Sequence, residues 1–228
     1  MPDPQYWVNN DNVTLSSDLK YVVAYKEITA STNVRTMIAT IIPRYAYNNK
    51  LILFMPSDAS SSENIEQYKS LVPFITSNLN SLVYDFVVRQ KLHGQTLNWY
   101  IVEQLPVLPD TAYETKIGKT IARDIVHEEV LKLTYTAQDM KPFARDMGYD
   151  GKPFAWDEDE RRHSRARLDA LFFILYGISR DDADYILSTF PIVKKQDMAE
   201  HDRYLTRDLI IAYMAAFEAG DSKTRVTP

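Results

Sequence analysis

Residues Asn78–Pro109 read NLNSLVYDFVVRQKLHGQTLNWYIVEQLPVLP, and the placement of the rest of the chain follows from them. Leu79, Leu82, Val83, Phe86 and Val87 recur at spacings of three and four, which predicts one helix with a single apolar face. Gly94 is expected to end it, because glycine enters a left-handed or sharp turn at least cost. Leu97, Trp99 and Ile101 then alternate, as in a short strand. That alternation would point either Trp99 or Tyr100 into the core. Pro106 and Pro109 remove backbone donors and should stop the strand near Gln104.

Upstream, Tyr21–Tyr25 is a strand candidate. In TASTNVRTMIATIIPR, Thr32 or Asn33 can cap a short helix with Met37, Ile38, Ile41 and Ile42 on its apolar face. The β-branched run makes a strand the rival reading. Asn48 and Asn49 form a turn before a strand at Leu51–Met55. PSDASSSE, Pro56–Glu63, is a loop leading into a helix from Ile65, with Pro73 in its first turn or at a kink.

Downstream, Tyr113–Tyr135 has imperfect helical recurrence, weakened at Gly118. Thr136–Phe154 is aromatic and turn-rich. Asp157 should cap a helix from Glu158 to Tyr176, stopped by Gly177. Ser179 should cap a shorter one through Ser188, bounded by Pro191. Thr206 should cap the last, Arg207–Ala219, before Gly220 begins a polar tail.

The fold class expected is α+β, a small mixed α/β module followed by a predominantly helical one. The divisions are an N-terminal arm (1–20) with Tyr6 and Trp7 as anchors, the α/β module (21–109), the helical module (110–220) and the tail (221–228). Pro109–Thr115 is the best junction, and the two parts are free to share one core.

The chain has 228 residues with 45% apolar and 25% charged, an ordinary globular balance. It has no cysteine, which excludes disulfides and thiolate metal sites and fits a reducing compartment. The start, MPDPQYWVNN, lacks the basic and apolar regions of a signal peptide, and no apolar segment is long enough to span a bilayer. A cytoplasmic protein with no membrane partner is the expectation.

The net charge of -5 is unlike that of a small autonomous nucleic-acid binder. Basic residues nonetheless gather early: Lys20, Lys26, Arg35, Arg44 and Lys50 are interrupted by one acid, Glu27. Asn33, Asn48 and Asn49 lie among them, and arginine and asparagine can discriminate base pairs in the major groove. Arg89, Lys91, His93, Gln95 and Asn98 form a second polar set around Gly94. The blander reading of both sets is solvated surface charge. Arg161, Arg162, Arg165 and Arg167 are read first as a solvated helix face, and as phosphate or partner contacts second.

Catalytic signals are sparse. GxGxxG, P-loop and GxSxG motifs are absent, and His93, His127, His163 and His201 have no metal-ligand spacing. Asp157–Glu160 and Asp181–Asp182 stand at expected helix starts, where the helix dipole accounts for them more simply than metal-dependent catalysis does. No catalytic, cofactor or metal residue is assigned.

Four stretches together carry a resemblance: NVRTMIATIIPR (Asn33–Arg44), NSLVYDFVVRQKLHGQTLNWYIVEQLPVLP (Asn80–Pro109), LTYTAQDMKPFARDMGYDGKPFAWDEDERR (Leu133–Arg162) and LDALFFILYGISRDDADYILSTFPIVKK (Leu168–Lys195). They resemble the C-terminal portion of Eco57I-like, type IIG-like adenine-specific DNA methyltransferases of bacterial restriction-modification and defence systems. The resemblance implies that residues 21–109 form a DNA target-recognition module and that the later helices support or dock. It implies double-stranded DNA and a methyltransferase catalytic domain or subunit as partners, with S-adenosylmethionine held by that missing domain and no cofactor in this chain. The family's Asn/Asp-Pro-Pro-Tyr/Phe tetrad and glycine-rich cofactor motif are absent, and no PD-(D/E)xK motif is evident. The expectation is a fragment or separate subunit, inactive as an enzyme alone. The alternative is a structural protein-interaction module of a bacterial defence complex, motivated by the aromatic Tyr135–Trp156 segment and the late helices.

Overall fold

The N-terminal half builds a three-stranded antiparallel sheet in the order β2-β1-β3, from β1 (Tyr21–Lys26), β2 (Ala39–Pro43) and β3 (Leu51–Phe54). The computed structural model describes residues 18–45 and 47–227, so most of the expected N-terminal arm, with Tyr6 and Trp7, lies outside the described residues. β1 is central and its first five residues are buried, as expected for a strand covered on both faces. Its register pairs Val23 with Ile41 on one side and with Phe54 on the other. The Tyr68 hydroxyl closes one end of this ladder: it accepts from the Val23 N–H at 2.7 Å and donates to the Phe54 carbonyl at 2.9 Å.

The helix expected around Met37–Ile42 is instead a strand. Burial alternates from Met37 to Ile41, with Met37, Ala39 and Ile41 buried and Ile38 and Thr40 exposed, the period of two that a half-covered strand needs. The outer edge of β2 is covered by a side chain. Asn80 accepts from the Ala39 N–H at 3.1 Å and donates to the Ala39 carbonyl at 2.9 Å, taking the place of a neighbouring strand.

The stretch Asn78–Pro109 departs from its reading in two places. The apolar face at Leu79–Val87 belongs to two helices, α1 (Ser62–Asn80) and α2 (Leu82–Lys91), which meet at 65°. Ser81 makes the break. Its extended backbone ends α1, and its hydroxyl accepts from the Tyr84 N–H at 3.3 Å as the N-cap of α2. Pro73 lies deep inside α1 rather than in its first turn. α2 ends at Lys91, with the Leu92 N–H bonded to the Val88 carbonyl at 2.9 Å, and Gly94 is not among the glycines with positive φ.

The second departure is α3 (Trp99–Val102), a helical turn where a strand was expected. Strand-like pairing lasts only through Gln95 and Leu97, whose carbonyl and N–H bond Thr29 and Glu27 at 3.0 and 2.8 Å. Val102 and Leu105 are then buried three apart, the helical rather than the strand period, while Trp99 and Tyr100 both stay exposed.

The later region is mostly helical: α4 (Ala122–Thr134), α5 (Lys141–Asp146), α6 (Glu158–Leu175), α7 (Arg180–Ser188), α8 (Pro191–His201) and α9 (Leu205–Glu218). The helix expected from Tyr113 begins only at Ala122. Before it stand a 3-10 turn (Asp110–Glu114) and a hairpin of β4 (Lys116–Ile117) and β5 (Thr120–Ile121), with Gly118 at φ +61°. The Asp157 and Ser179 caps form, accepting from the Glu160 and Asp182 N–H groups at 2.9 and 3.1 Å. Pro191 opens α8, a helix not anticipated, and α9 starts after Tyr204 rather than Thr206.

α6 is the spine of this half, packed against α9, α4 and α2. Leu171, Phe172 and Phe173 are fully buried, and burying a side chain of that size stabilises by about 1.5–3 kcal/mol. One apolar cluster runs from Leu19 through β1, α1, α4 and α6 to Phe217, so residues on both sides of Pro109 share it. A smaller cluster of Tyr25, Met37, Tyr84, Val88, Leu97 and Val102 lies beneath α2 and α3. The segment after Gly220 is docked rather than a free tail. Ser222 donates to the Thr120 hydroxyl at 2.8 Å, and Arg225 pairs with Asp159 and Glu160. Among the described residues no single helix is long and apolar enough to cross a membrane.

Candidate functional site

α2 carries the chemistry of the second polar set, and two of its side chains fasten it to the loop before β2. Asp85 is fully buried; its Oδ1 accepts the Thr36 and Met37 N–H groups at 2.9 and 2.6 Å. Its Oδ2 accepts from Arg89 Nε, one turn on, at 3.1 Å. The rest of the Arg89 guanidinium donates to the Ser31, Asn33 and Val34 carbonyls at 2.8–3.0 Å and lies over the Phe190 ring at 4.3 Å. Arg89 is therefore a fastening of this loop, with its donors turned inward.

Arg35 donates to the Asn80 carbonyl, one of the acceptors left over at the C-terminus of α1. Lys50 pairs with Glu27 at 3.1 Å. Lys20 and Lys26 are exposed at opposite ends of β1, and Arg44 is half-buried, its N–H bonding the Lys20 carbonyl at 2.9 Å. Asn33 lends its carbonyl to Arg89. Asn48 turns the chain by accepting from the Lys50 N–H at 2.9 Å, and Asn49 is exposed beside it.

Four of the sequence-selected residues do converge. Lys91, His93, Gln95 and Asn98 line one open hollow of about 460 Å3, together with Tyr100 and Gln104. Its rim is rigidly placed. α2 is pinned by Asp85, the chain at Gln95–Leu97 is hydrogen-bonded to Glu27 and Thr29, and Leu92 and Leu97 are buried below. The polar groups offer ammonium, imidazole and amide functions, the last able to donate and accept at once.

A larger cleft of about 1240 Å3 lies between β2, the α1–α2 break, α6 and α8. Arg35, Arg161, Arg162 and Arg165 line it with Glu158, Asp169, Asp197 and Glu200. Sequence reading treated Arg161–Arg167 as one solvated face, whereas the structure divides them. Arg161 stacks on Trp156 at 3.7 Å and donates to the Leu133 carbonyl at 3.0 Å. Arg162 pairs with Asp159 and Glu200, each at 3.3 Å. Arg167 faces the other way, 3.0 Å from buried Glu129, and donates to the Ser222 carbonyl at 2.7 Å.

Asp169 is the residue that sequence reasoning missed. It sits on the apolar side of α6 and is buried, and its Oδ1 accepts from the Leu82 N–H at 2.6 Å. Burial pushes its carboxyl up to about 6, against the opposing pull of the Arg35 and Arg165 charges and the Leu82 N–H. The signal was a lone acid inside the apolar run LDALFF.

Among the described residues, no three histidine or acidic side chains gather as a metal-ligand set. The acids of the α6 and α7 starts serve as caps, first-turn charges and ion-pair partners. No protein-family model, curated protein or solved structure matches this chain.

Proposed function

We propose that this chain is the target-recognition and supporting C-terminal region of an adenine-specific DNA methyltransferase of a restriction-modification system. In this reading it works in the cytoplasm on double-stranded DNA, beside a catalytic domain or subunit that binds S-adenosylmethionine. The observation that carries the reading is the hollow at the end of α2, where Lys91, His93, Gln95 and Asn98 converge on an anchored frame. Lysine pairs with guanine O6 and N7, and glutamine or asparagine with adenine N6 and N7. The net charge of -5 leaves much of the phosphate binding to the catalytic partner.

The test is a DNA selection assay on the chain reconstituted with its catalytic partner. His93→Ala/Gln95→Ala should relax the base preference at one or two positions while total DNA binding falls little. An unchanged preference would overturn the reading.

The second reading, a protein-interaction module of a defence complex, is favoured by the engagement of Arg35 and Arg89 with backbone carbonyls and of Lys50 with Glu27, which takes three of the sequence-selected cations into contacts within the chain. It predicts that the hollow variants lose a protein partner and keep the base preference.

A further inference from the structure

We propose that α8 is a flap over the large cleft. It swings outward about Phe190 and Tyr204 while the helices around it stay folded, and its position sets access to the space between β2 and α6. The flap is separate from the hollow at the end of α2 and does not depend on the DNA reading.

The first ground is how little of α8 is buried. Among the described residues it is the helix with no buried side chain. Val193, Asp197 and His201 recur four apart and set its inward face, yet each is half-buried, and Met198 is exposed. α9 gives the contrast, with Leu209, Ile210, Tyr213, Met214 and Phe217 all buried. Tertiary packing supplies most of a helix's stability, so a helix that buries so little opens locally long before the whole chain unfolds.

The second ground is the way its ends are tied. Phe190 and Tyr204, on either side of α8, are both buried. The Phe190 N–H and the Tyr204 hydroxyl both donate to the Leu187 carbonyl, at 3.2 and 3.0 Å. The chain leaves α7 and returns towards α9 at one carbonyl, and residues 191–203 project beyond it as an excursion closed at its base. Asp202 makes the return turn in the left-handed region, at φ +57°. A segment tied in this way can move without pulling on α7 or α9, as hinged elements do.

The third ground is the latch. Asp197 accepts from the Thr206 N–H at 2.6 Å and so serves the start of α9, where Tyr204 supplies no side-chain cap. Glu200 accepts from Arg162 of α6 at 3.3 Å, and its side chain is 67% exposed, so water can take over that contact at little cost. Val193, Asp197 and Glu200 line the cleft together with Leu82, Leu133 and Leu168. Displacing α8 removes one wall and opens the apolar lining.

The test is hydrogen exchange of the 228-residue chain, followed along α8 and α9. Amides of α8 should exchange about a hundredfold or more faster than those in the interior of α9, at a rate that does not respond to urea below the unfolding transition. Glu200→Gln should quicken α8 by about two- to fivefold, the size of an exposed ion pair, and leave α6 unchanged. The chain has no cysteine, so a single introduced thiol reports access to the cleft. Ala166 lines the cleft and Ala170 lies fully buried one turn on. Labelling of Ala166→Cys should quicken with Glu200→Gln, and labelling of Ala170→Cys should not. If either cysteine variant fails to fold, the exchange of the unmodified chain and of Glu200→Gln decides alone. Protection of α8 equal to that of α9, or a Glu200→Gln effect spread evenly over all helices, would overturn the proposal.

Discussion

Asp85 and Arg89 are one helical turn apart, and their 3.1 Å ion pair joins the middle of α2 to a loop about fifty residues earlier in the chain. Asp85 is fully buried and the Arg89 side chain is only 11% exposed, so the pair is shielded from salt and water. Each oxygen of Asp85 has a partner, and Arg89 reaches three carbonyls besides.

Breaking this pair from one side leaves an uncompensated buried charge. Arg89→Gln should therefore lower stability by about 3–5 kcal/mol, and Asp85→Ala by at least as much. Urea unfolding of the two variants measures this. A cost for Arg89→Gln below about 1 kcal/mol would return Arg89 to the class of surface cations and to the list of possible DNA contacts.

Asp169 gives stability a pH dependence of defined sign. Its native carboxyl is raised to about 6 from an ordinary 3.8, so the folded chain holds this proton more tightly than the unfolded chain. The folded state then loses ground as pH rises from about 4 through 6, by about 3 kcal/mol in all. Asp169→Asn keeps an oxygen for the Leu82 N–H and cannot ionise. Its stability relative to the unmodified chain should rise across that window and level off above it. A difference between the two chains that stays constant from pH 4 to 7 would refute the assignment.

Asn80 should be irreplaceable by alanine. Its amide donates to the Ala39 and Thr76 carbonyls and accepts from the Ala39 N–H. Asn80→Ala should cost about 2 kcal/mol, since three modest hydrogen bonds are lost at a partly buried edge. Hydrogen exchange at the Ala39 amide should quicken more than at Ala24 in the centre of the sheet, and equal change at both would point to global loosening instead.

Gly118 fixes the docking of the last segment. Its φ is +61°, and a Cβ there would overlap the Gly220 carbonyl oxygen. Gly118→Ala should strain the β4–β5 hairpin by about 1 kcal/mol through its dihedral alone and lift the segment after Gly220. Trypsin would then cut at Lys223 and Arg225 well before the body of the protein is digested. Resistance equal to that of the unmodified chain would show that the approach adjusts.

The parts legible in the sequence were those set by local chemistry. β1, the Asn48–Asn49 turn, the Asp157 and Ser179 caps and the Gly177 stop each rest on side chains within a few residues of one another. The parts that were not legible depend on distant partners. Ser81 breaks an apolar stripe that is continuous in sequence, because Asp169 on α6 accepts the Leu82 N–H just beyond it. Met37–Ile42 serves either period until Asn80 and Asp85 supply the hydrogen bonds that select a strand and hold the loop before it. The basic residues were visible as a list, but only folding shows that Arg89 bonds Asp85 and three carbonyls and that Arg35 gives a donor to the Asn80 carbonyl, while Lys91, His93, Gln95 and Asn98 gather in one hollow.

α2 also acts as a ruler. Leu82 at its first position lines the large cleft, and Lys91 at its last lines the hollow. Its ten residues set Leu82 and Lys91 roughly 14 Å apart along the helix axis. Asp85 and Arg89 fasten the rod to the loop before β2 between these two ends. A ligand that touches both Leu82 and Lys91 must span this length, and lengthening α2 by one turn would add about 5 Å to it.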